Sequence, residues 1–161
     1  MQKQKFIHEV RTVKNRTELA NIVKAQRISE QVLRNILKTL KTVVTEIEVA
    51  NFIKKSTAGE YACRTFHRVE DWVTQGGDPK GNGTGGGDQA TELSDRNFAV
   101  GAVGVARAGD IKVSNADQFF ICKTDCTFLN NQYTYFGKVT TGIDVVGKIQ
   151  IGDKISSIEI K

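Results

Sequence analysis

Two hydrophobic rhythms divide this chain. Leu19, Ile22, Val23, Val32, Leu33, Ile36, Leu37 and Leu40 recur at three- and four-residue steps, with Lys24, Arg27, Arg34 and Lys38 mostly on the other side. That period predicts an amphipathic helix over about residues 17–41, with Thr17 as its N-cap. A second helix is predicted from Thr45, because Thr45 and Glu48 have capping-box spacing and each can bond the other's orphan backbone N–H. Its apolar face would be Ile47, Ala50 and Ile53, and it should end near Lys54-Lys55 before Ala58-Gly59 turns the chain. Upstream, residues 5–13 are rich enough in β-branched and aromatic types to form a strand.

From Tyr61 onward the apolar runs are short. Thr65–Val69, Val73–Gln75, Phe98–Ala106, Gln118–Ile121 and Tyr133–Val139 read as strands, and Ile155–Ile160 alternates as a closing strand. A glycine-dense loop, Gly76–Gly87, separates the second strand from the third. Short strands punctuated by Gly and Asp predict a mainly β fold with helices, an antiparallel β-barrel.

Charge sharpens the division. Residues 1–58 carry 12 Lys/Arg against 5 Asp/Glu, and residues 59–161 carry 11 against 13, which together give the net charge of +5. We therefore divide the chain into a basic helical N-terminal segment, 1–58, and a barrel domain, 59–161. At 161 residues one core of useful size can form. No apolar run approaches the roughly eighteen residues of a membrane span, and charges interrupt Met1–Val10 before a secretory apolar region can form. A soluble cytoplasmic protein is the expectation.

Three cysteines and two histidines give no closed metal set: Cys122 and Cys126 lack a second pair, and only His8 and His67 could join them. The cysteines read as buried or half-buried thiols in a reducing compartment. Gly81-Asn82-Gly83-Thr84-Gly85-Gly86 fits a dinucleotide fingerprint, yet no helix pattern follows it. It reads instead as a flexible loop beside a groove, where glycine permits positive φ.

The stretch that carries chemistry is Phe66-His67-Arg68-Val69 followed by Trp72-Val73-Thr74-Gln75-Gly76-Gly77-Asp78. Together with Gln118-Phe119-Phe120-Ile121 and Phe136-Gly137-Lys138-Val139, in that order, it resembles the cyclophilins, the peptidyl-prolyl cis–trans isomerases. The resemblance covers about residues 59–161, and within it Gly142–Ile149 is similar to the family's second helix. Val49-Ala50-Asn51-Phe52-Ile53 also resembles the family's first helix, whereas nothing matches the hairpin with which the family usually begins. Residues 5–13 could substitute for it in part, or the fold could be incomplete or swapped between chains.

The resemblance implies catalysis without nucleophile, base, metal, nucleotide or redox cofactor. A peptide bond faces a rotational barrier of about 18–20 kcal/mol because the nitrogen lone pair is delocalised. A catalyst need only bind the twisted amide better than the planar one. Twisting localises the lone pair on the proline nitrogen, where a fixed donor that cannot lose its proton stabilises it. Arg68 stands at the family's catalytic arginine position. The resemblance further assigns Trp72, Val73, Phe120 and Leu129 to the walls of the proline slot, with Phe128 at its rim. Gln75 and Gln118 match the amides that orient the substrate, and Ala106, Arg107 and Ala108 the backbone along which it lies. Tyr133 stands where many members carry histidine. His67 reads as a hydrogen-bonded structural residue, since isomerisation transfers no proton.

Several positions depart from the commonest pattern. Trp72 and Val73 stand where Phe and Met are frequent, and Phe128 where some members have Trp. The spacing from Arg68 to Gln75 is one residue shorter than in many members, which bears on substrate preference and cyclosporin sensitivity. A different resemblance covers about residues 7–53. Arg11-x-Val13-Lys14-Asn15, Glu18-Leu19-x-x-Ile22-x-Lys24-Ala25-Gln26 and Thr45-Glu46-x-Glu48-Val49-Ala50 are similar to the opening of creatinase/aminopeptidase-P-type metallopeptidase domains. No peptidase site carries over, because the positions that would hold the metal carry cyclophilin-like sequence. A shared amphipathic pattern and a fused or recombined chain are the two explanations.

The expected partners are proline-containing polypeptides, with no membrane and with nucleic acid disfavoured. Two other readings stay open: a module that binds proline peptides with little turnover, and a 17–41 helix that self-associates or contacts an acidic partner such as nucleic acid.

Overall fold

The computed structural model describes residues 16–17 and 46–160. The strand expected over 5–13, the 17–41 helix beyond Thr17, and the Thr45–Glu48 capping box lie outside the described residues.

Helix α1 spans Glu46–Thr57. It buries Phe52 and Ser56, with Val49 partly buried on the same turn-spaced face, while Ala50 is exposed and Ile53 half-buried. The expected face through Ala50 and Ile53 is therefore rotated toward Phe52. The physical reason is payload: a phenyl ring removes far more apolar area from water than alanine does. Phe52 packs on Tyr61, Phe119 and Phe136 at centroid distances of 5.1, 5.9 and 5.3 Å. The helix stops where the sequence requires. Gly59 N–H donates to Ser56 O and Glu60 N–H to Lys55 O, with Gly59 at φ +72°. This is a Schellman cap, which wants a residue without Cβ at that position.

Five strands form one antiparallel sheet in the order β1-β2-β6-β4-β7: β1 Phe66–Val69, β2 Val73–Gly76, β4 Ala102–Val105, β6 Phe119–Cys122 and β7 Tyr135–Lys138. A separate pair joins β3, Asp88–Ala90, to β5, Val113–Asn115. Neither short strand carries a pattern long enough to read in the sequence. A single 3₁₀ turn, Thr127–Leu129, and a one-turn helix α2, Ile143–Val146, complete the described elements. The strand expected over Phe98–Ala106 is shorter at its start, since Phe98 lies in a loop and Ala102 opens β4.

Ile155–Ile160 forms no strand. Ile155 and Ile158 are the buried residues there, three apart rather than two, and Ile160 is exposed. Ile155 still pairs its backbone with Arg64 and Cys63 beside the isolated bridge Thr65–Lys154. Burial at a spacing of three cannot sit on one face of a pleated strand.

The sheet's two faces are sorted by register. Val69, Thr74, Ile121, Val103 and Gly137 stand in one cross-strand row. Ile121, Val103 and Val69 on that row belong with Phe52, Phe119, Phe136 and Ile155 to the larger core cluster. The next row holds Arg68, Gln75, Phe120, Gly104 and Tyr135 and faces the other way. The smaller cluster under it comprises Val73, Phe98, Ala102, Ala106, Phe120, Cys122, Cys126 and Leu129.

An ion network ties α1 to the segment preceding β6. Lys55 Nζ and Arg64 Nη1 reach Asp117 Oδ1 at 2.8 and 2.9 Å, and Lys55 also donates to Ala116 O at 2.8 Å. Burial alone would raise the Asp117 pKa, but the hydrogen bonds from Lys55 and Arg64 outweigh it and hold the carboxyl below the usual carboxylate range. Among the described residues, no helix is long and apolar enough to cross a membrane.

Candidate active site

The outward row begins at a two-residue hairpin. Glu70 N–H donates to Val73 O at 2.8 Å, which leaves Asp71 and Trp72 as the two loop residues inside that bond. Register then sets Arg68 opposite Gln75 and Gln75 opposite Phe120.

A recess opens along this row, lined by Arg68, Trp72, Val73, Gln75, Ala106, Arg107, Phe120, Leu129 and Tyr133. Its floor is aromatic and aliphatic. Phe120 stacks on Phe98 at 5.6 Å and meets Tyr133 edge-on at 5.5 Å. Small residues make that possible: Ala102, Gly104 and Ala106 alternate on the recess side of β4, while Val103 and Val105 point into the larger core. Leu129 is carried by the 3₁₀ turn, which Asn130 fixes by accepting the Phe98 N–H at 2.9 Å.

Polar groups crowd one side. Gln75 Nε2 donates to Gln118 Oε1 at 2.9 Å, and Gln118 Nε2 donates to the carbonyls of Gly85 and Gly83 at 2.8 and 3.1 Å. Arg68 Nη1 lies 3.4 Å from Gln75 Oε1, and Arg68 Nε donates to Glu70 Oε1 at 2.7 Å. The Arg68 hydrogen bond holds the Glu70 carboxyl below the usual carboxylate range. On the far wall, Arg107 sits over the Tyr133 ring at 4.4 Å, with its Nε donating to Gln132 O at 2.8 Å.

Nine of the twelve residues expected at the site line the recess. Gln118 stands behind Gln75, almost wholly buried. Phe128 is 60% exposed and packs edge-on against Trp72 at 5.3 Å, outside the lining. Ala108 is exposed and borders a neighbouring hollow with Asp88, Asp110, Val113, Ser114 and Asn115. Ala106 spends its N–H on Gln118 O and its carbonyl on Asn115 N–H, so no backbone donor of Ala106 faces the recess.

The glycine loop, expected to be flexible, carries several hydrogen bonds. Asp78, buried, accepts the N–H groups of Lys80, Asn82 and Gly83, and Asn115 Nδ2 donates to Gly85 O. Gly81, Gly83 and Gly86 do take positive φ, as the sequence predicts. His67 is half-buried beside Gly83, with the Thr65 backbone and the Gln118 side chain as polar neighbours of its ring. Burial holds its pKa below the usual value, with Asp78, the Thr65 backbone and Gln118 opposing.

Sequence reasoning missed Glu70, Asn115 and Asp117. Glu70 alone had a local signal, since it stands two residues from both Arg68 and Trp72.

The family profile described as cyclophilin type peptidyl-prolyl cis-trans isomerase/CLD matches residues 27–160. The match begins further upstream than Tyr61, where the sequence resemblance becomes close. Peptidyl-prolyl cis-trans isomerase B of Bacillus subtilis is 38% identical over 118 residues, covering 70% of this chain and 81% of that protein. The peptidyl-prolyl cis-trans isomerase of Synechococcus elongatus is 38% identical over 117 residues, covering 70% and 79%. A crystal structure of a Cryptosporidium parvum cyclophilin type peptidyl-prolyl cis-trans isomerase, in the presence of the dipeptide Ala-Pro, superposes with a TM-score of 0.63. Its identity is 27%, over 70% of this chain and 84% of that one. The chain belongs to the cyclophilin-type peptidyl-prolyl cis–trans isomerases.

Proposed function

We propose that this recess accelerates rotation about X–Pro bonds in polypeptides, with Arg68 as the donor to the proline nitrogen. The observation that carries the reading is the cross-strand row in which Arg68, Gln75 and Phe120 stand side by side on one face. A guanidinium, an amide and an apolar floor are what an amide rotation needs: a donor for the developing lone pair, a grip on the backbone, and a slot for the ring.

Trp72, Val73, Phe120 and Leu129 would hold the ring, Gln75 and Gln118 would orient the carbonyl, and Tyr133 would close the far side. Arg107, rather than Ala106, is left to pair with the peptide backbone. Ala108 and Phe128 would touch residues flanking the proline. The substrate class, proline-containing polypeptide, is supported by the relative's structure with Ala-Pro. The engagement of Arg68 by both Gln75 and Glu70 favours turnover over simple peptide capture, since a held donor is pre-organised for the transition state.

The proposal includes an antiparallel β-barrel that lacks the family's usual first hairpin, and a reducing, cytoplasmic setting. Burial pushes the Cys122 pKa up, which keeps this thiol protonated and inert. Residues 1–58 remain a basic segment by composition, although its α1 packs into the larger core. Its 17–41 period supports self-association, which the mass found by sedimentation across salt concentrations would test. The peptidase-like pattern over 7–53 is read as a fused leader without a peptidase site.

Magnetisation exchange between cis and trans Ala-Pro peptide, with substoichiometric protein, tests the central claim. Added protein should speed exchange without moving the equilibrium. Unchanged exchange with a folded protein would overturn the reading.

A further inference from the structure

We propose that Glu70 is a positioning residue for the isomerisation, its one carboxylate clamping the Arg68 guanidinium and the Trp72 indole in a single geometry. The inference rests on the isomerase reading above and deepens it. Glu70 Oε1 accepts from Arg68 Nε at 2.7 Å, and Glu70 Oε2 accepts from Trp72 Nε1 at 2.8 Å. The guanidinium in turn lies over the Trp72 ring, 5.3 Å from its centroid. Donor and aromatic wall are thus fixed to each other through a residue that does not line the recess.

Arg68 needs such a hold. Its side chain is 45% exposed on the strand at one end of the described sheet order, where a long flexible side chain has many rotamers to lose. Glu70 takes the Nε edge and leaves the terminal nitrogens as the donors nearest Gln75 and the recess. The two-residue hairpin makes this local. Glu70 stands two residues from each of its partners, and its backbone is pinned by its N–H to Val73 O and by Lys123 Nζ donating to Glu70 O at 2.7 Å. An ordinary surface ion pair contributes little. Here each carboxylate oxygen serves a different wall of the same recess.

The experiment compares kcat and KM on an Ala-Pro peptide for wild type, Glu70→Gln, Trp72→Phe, Arg68→Ala and the double variant Arg68→Ala/Glu70→Gln. Glu70→Gln should lower kcat by roughly tenfold with KM little changed, because the donor is misaimed rather than the slot lost. In the Arg68→Ala background the same change should cost nothing further, since Glu70 acts through Arg68. Trp72→Phe keeps a ring but drops the N–H donor, and should show a smaller fall in kcat than Glu70→Gln. Full activity in Glu70→Gln, or an equal loss with and without Arg68, would overturn the inference while leaving the isomerase reading intact. An inactive wild type would overturn both.

Discussion

Gly104 stands directly opposite Phe120 in the β4–β6 pairing, and a Cβ at Gly104 would lie 2.7 Å from Cε1 of both Phe120 and Phe98. The recess floor therefore exists because one strand position has no side chain. Gly104→Ala must push the stacked rings toward the recess or strain the sheet. We expect a loss of about 1–3 kcal/mol from overpacking, read by denaturant unfolding, together with weaker binding of an Ala-Pro peptide. Unchanged stability and unchanged affinity would show that the floor has slack.

Gln118 is a strut between the recess and the glycine loop. Replacing it by Leu removes the acceptor of Gln75 and both donors to Gly83 and Gly85. Leaving those buried groups unpaired should cost about 1–3 kcal/mol of stability. Gln75 should also lose orientation, lowering kcat/KM for an Ala-Pro peptide. Thermal melts and peptide kinetics on the one variant separate the two effects.

Asp117 sets a pH dependence of stability with a definite sign. Its folded pKa is held below the unfolded value, so the unfolded chain takes up its proton first as pH falls. The contribution is complete above the unfolded carboxylate pKa of about 3.9, and it drains away as pH drops through the lower folded value. Asp78 adds in the same direction, since three backbone N–H groups outweigh its burial. Asp117→Asn should cost about 3–5 kcal/mol at neutral pH, because Lys55 and Arg64 lose their shared counter-charge. It should also flatten the acid limb of a melting-temperature profile, leaving the part due to Asp78. An acid limb of wild-type steepness in the variant would contradict this assignment.

Trp72 is the single tryptophan of the chain, and it lines the recess. Its emission should respond to an Ala-Pro peptide and stay silent to the same peptide with Ala in place of Pro. Phe128→Ala, which removes the edge contact at 5.3 Å, should shift the free spectrum yet preserve the proline selectivity.

The family resemblance carried by the motifs around Arg68 and Phe120 already named most of the lining, of which Arg68, Val73, Gln75 and Phe120 stand on β1, β2 and β6. Phe120 and Cys122 separate from Phe119 and Ile121 by parity alone. What escaped was everything set by long-range closure. Asp117 meets Lys55 across 62 positions, and Asn115 reaches Gly85 across 30, with no local pattern to announce either. The α1 face was misjudged through Ala50, since helical period fixes a stripe but not which stripe wins; Phe52 wins through its ring contacts. Ile155–Ile160 looked like a strand because three isoleucines are β formers, yet Ile155 and Ile158 are drawn in by the core at a spacing no strand face allows.

The central claim is that Arg68 accelerates rotation, not merely binding. The direct measurement is Ala-Pro exchange by wild type and Arg68→Ala, with peptide affinity followed through Trp72 in the same samples. Our account predicts a fall in kcat of about a hundredfold or more with affinity changed far less, as expected when a transition-state donor is lost. Equal catalysis by the two proteins would contradict it.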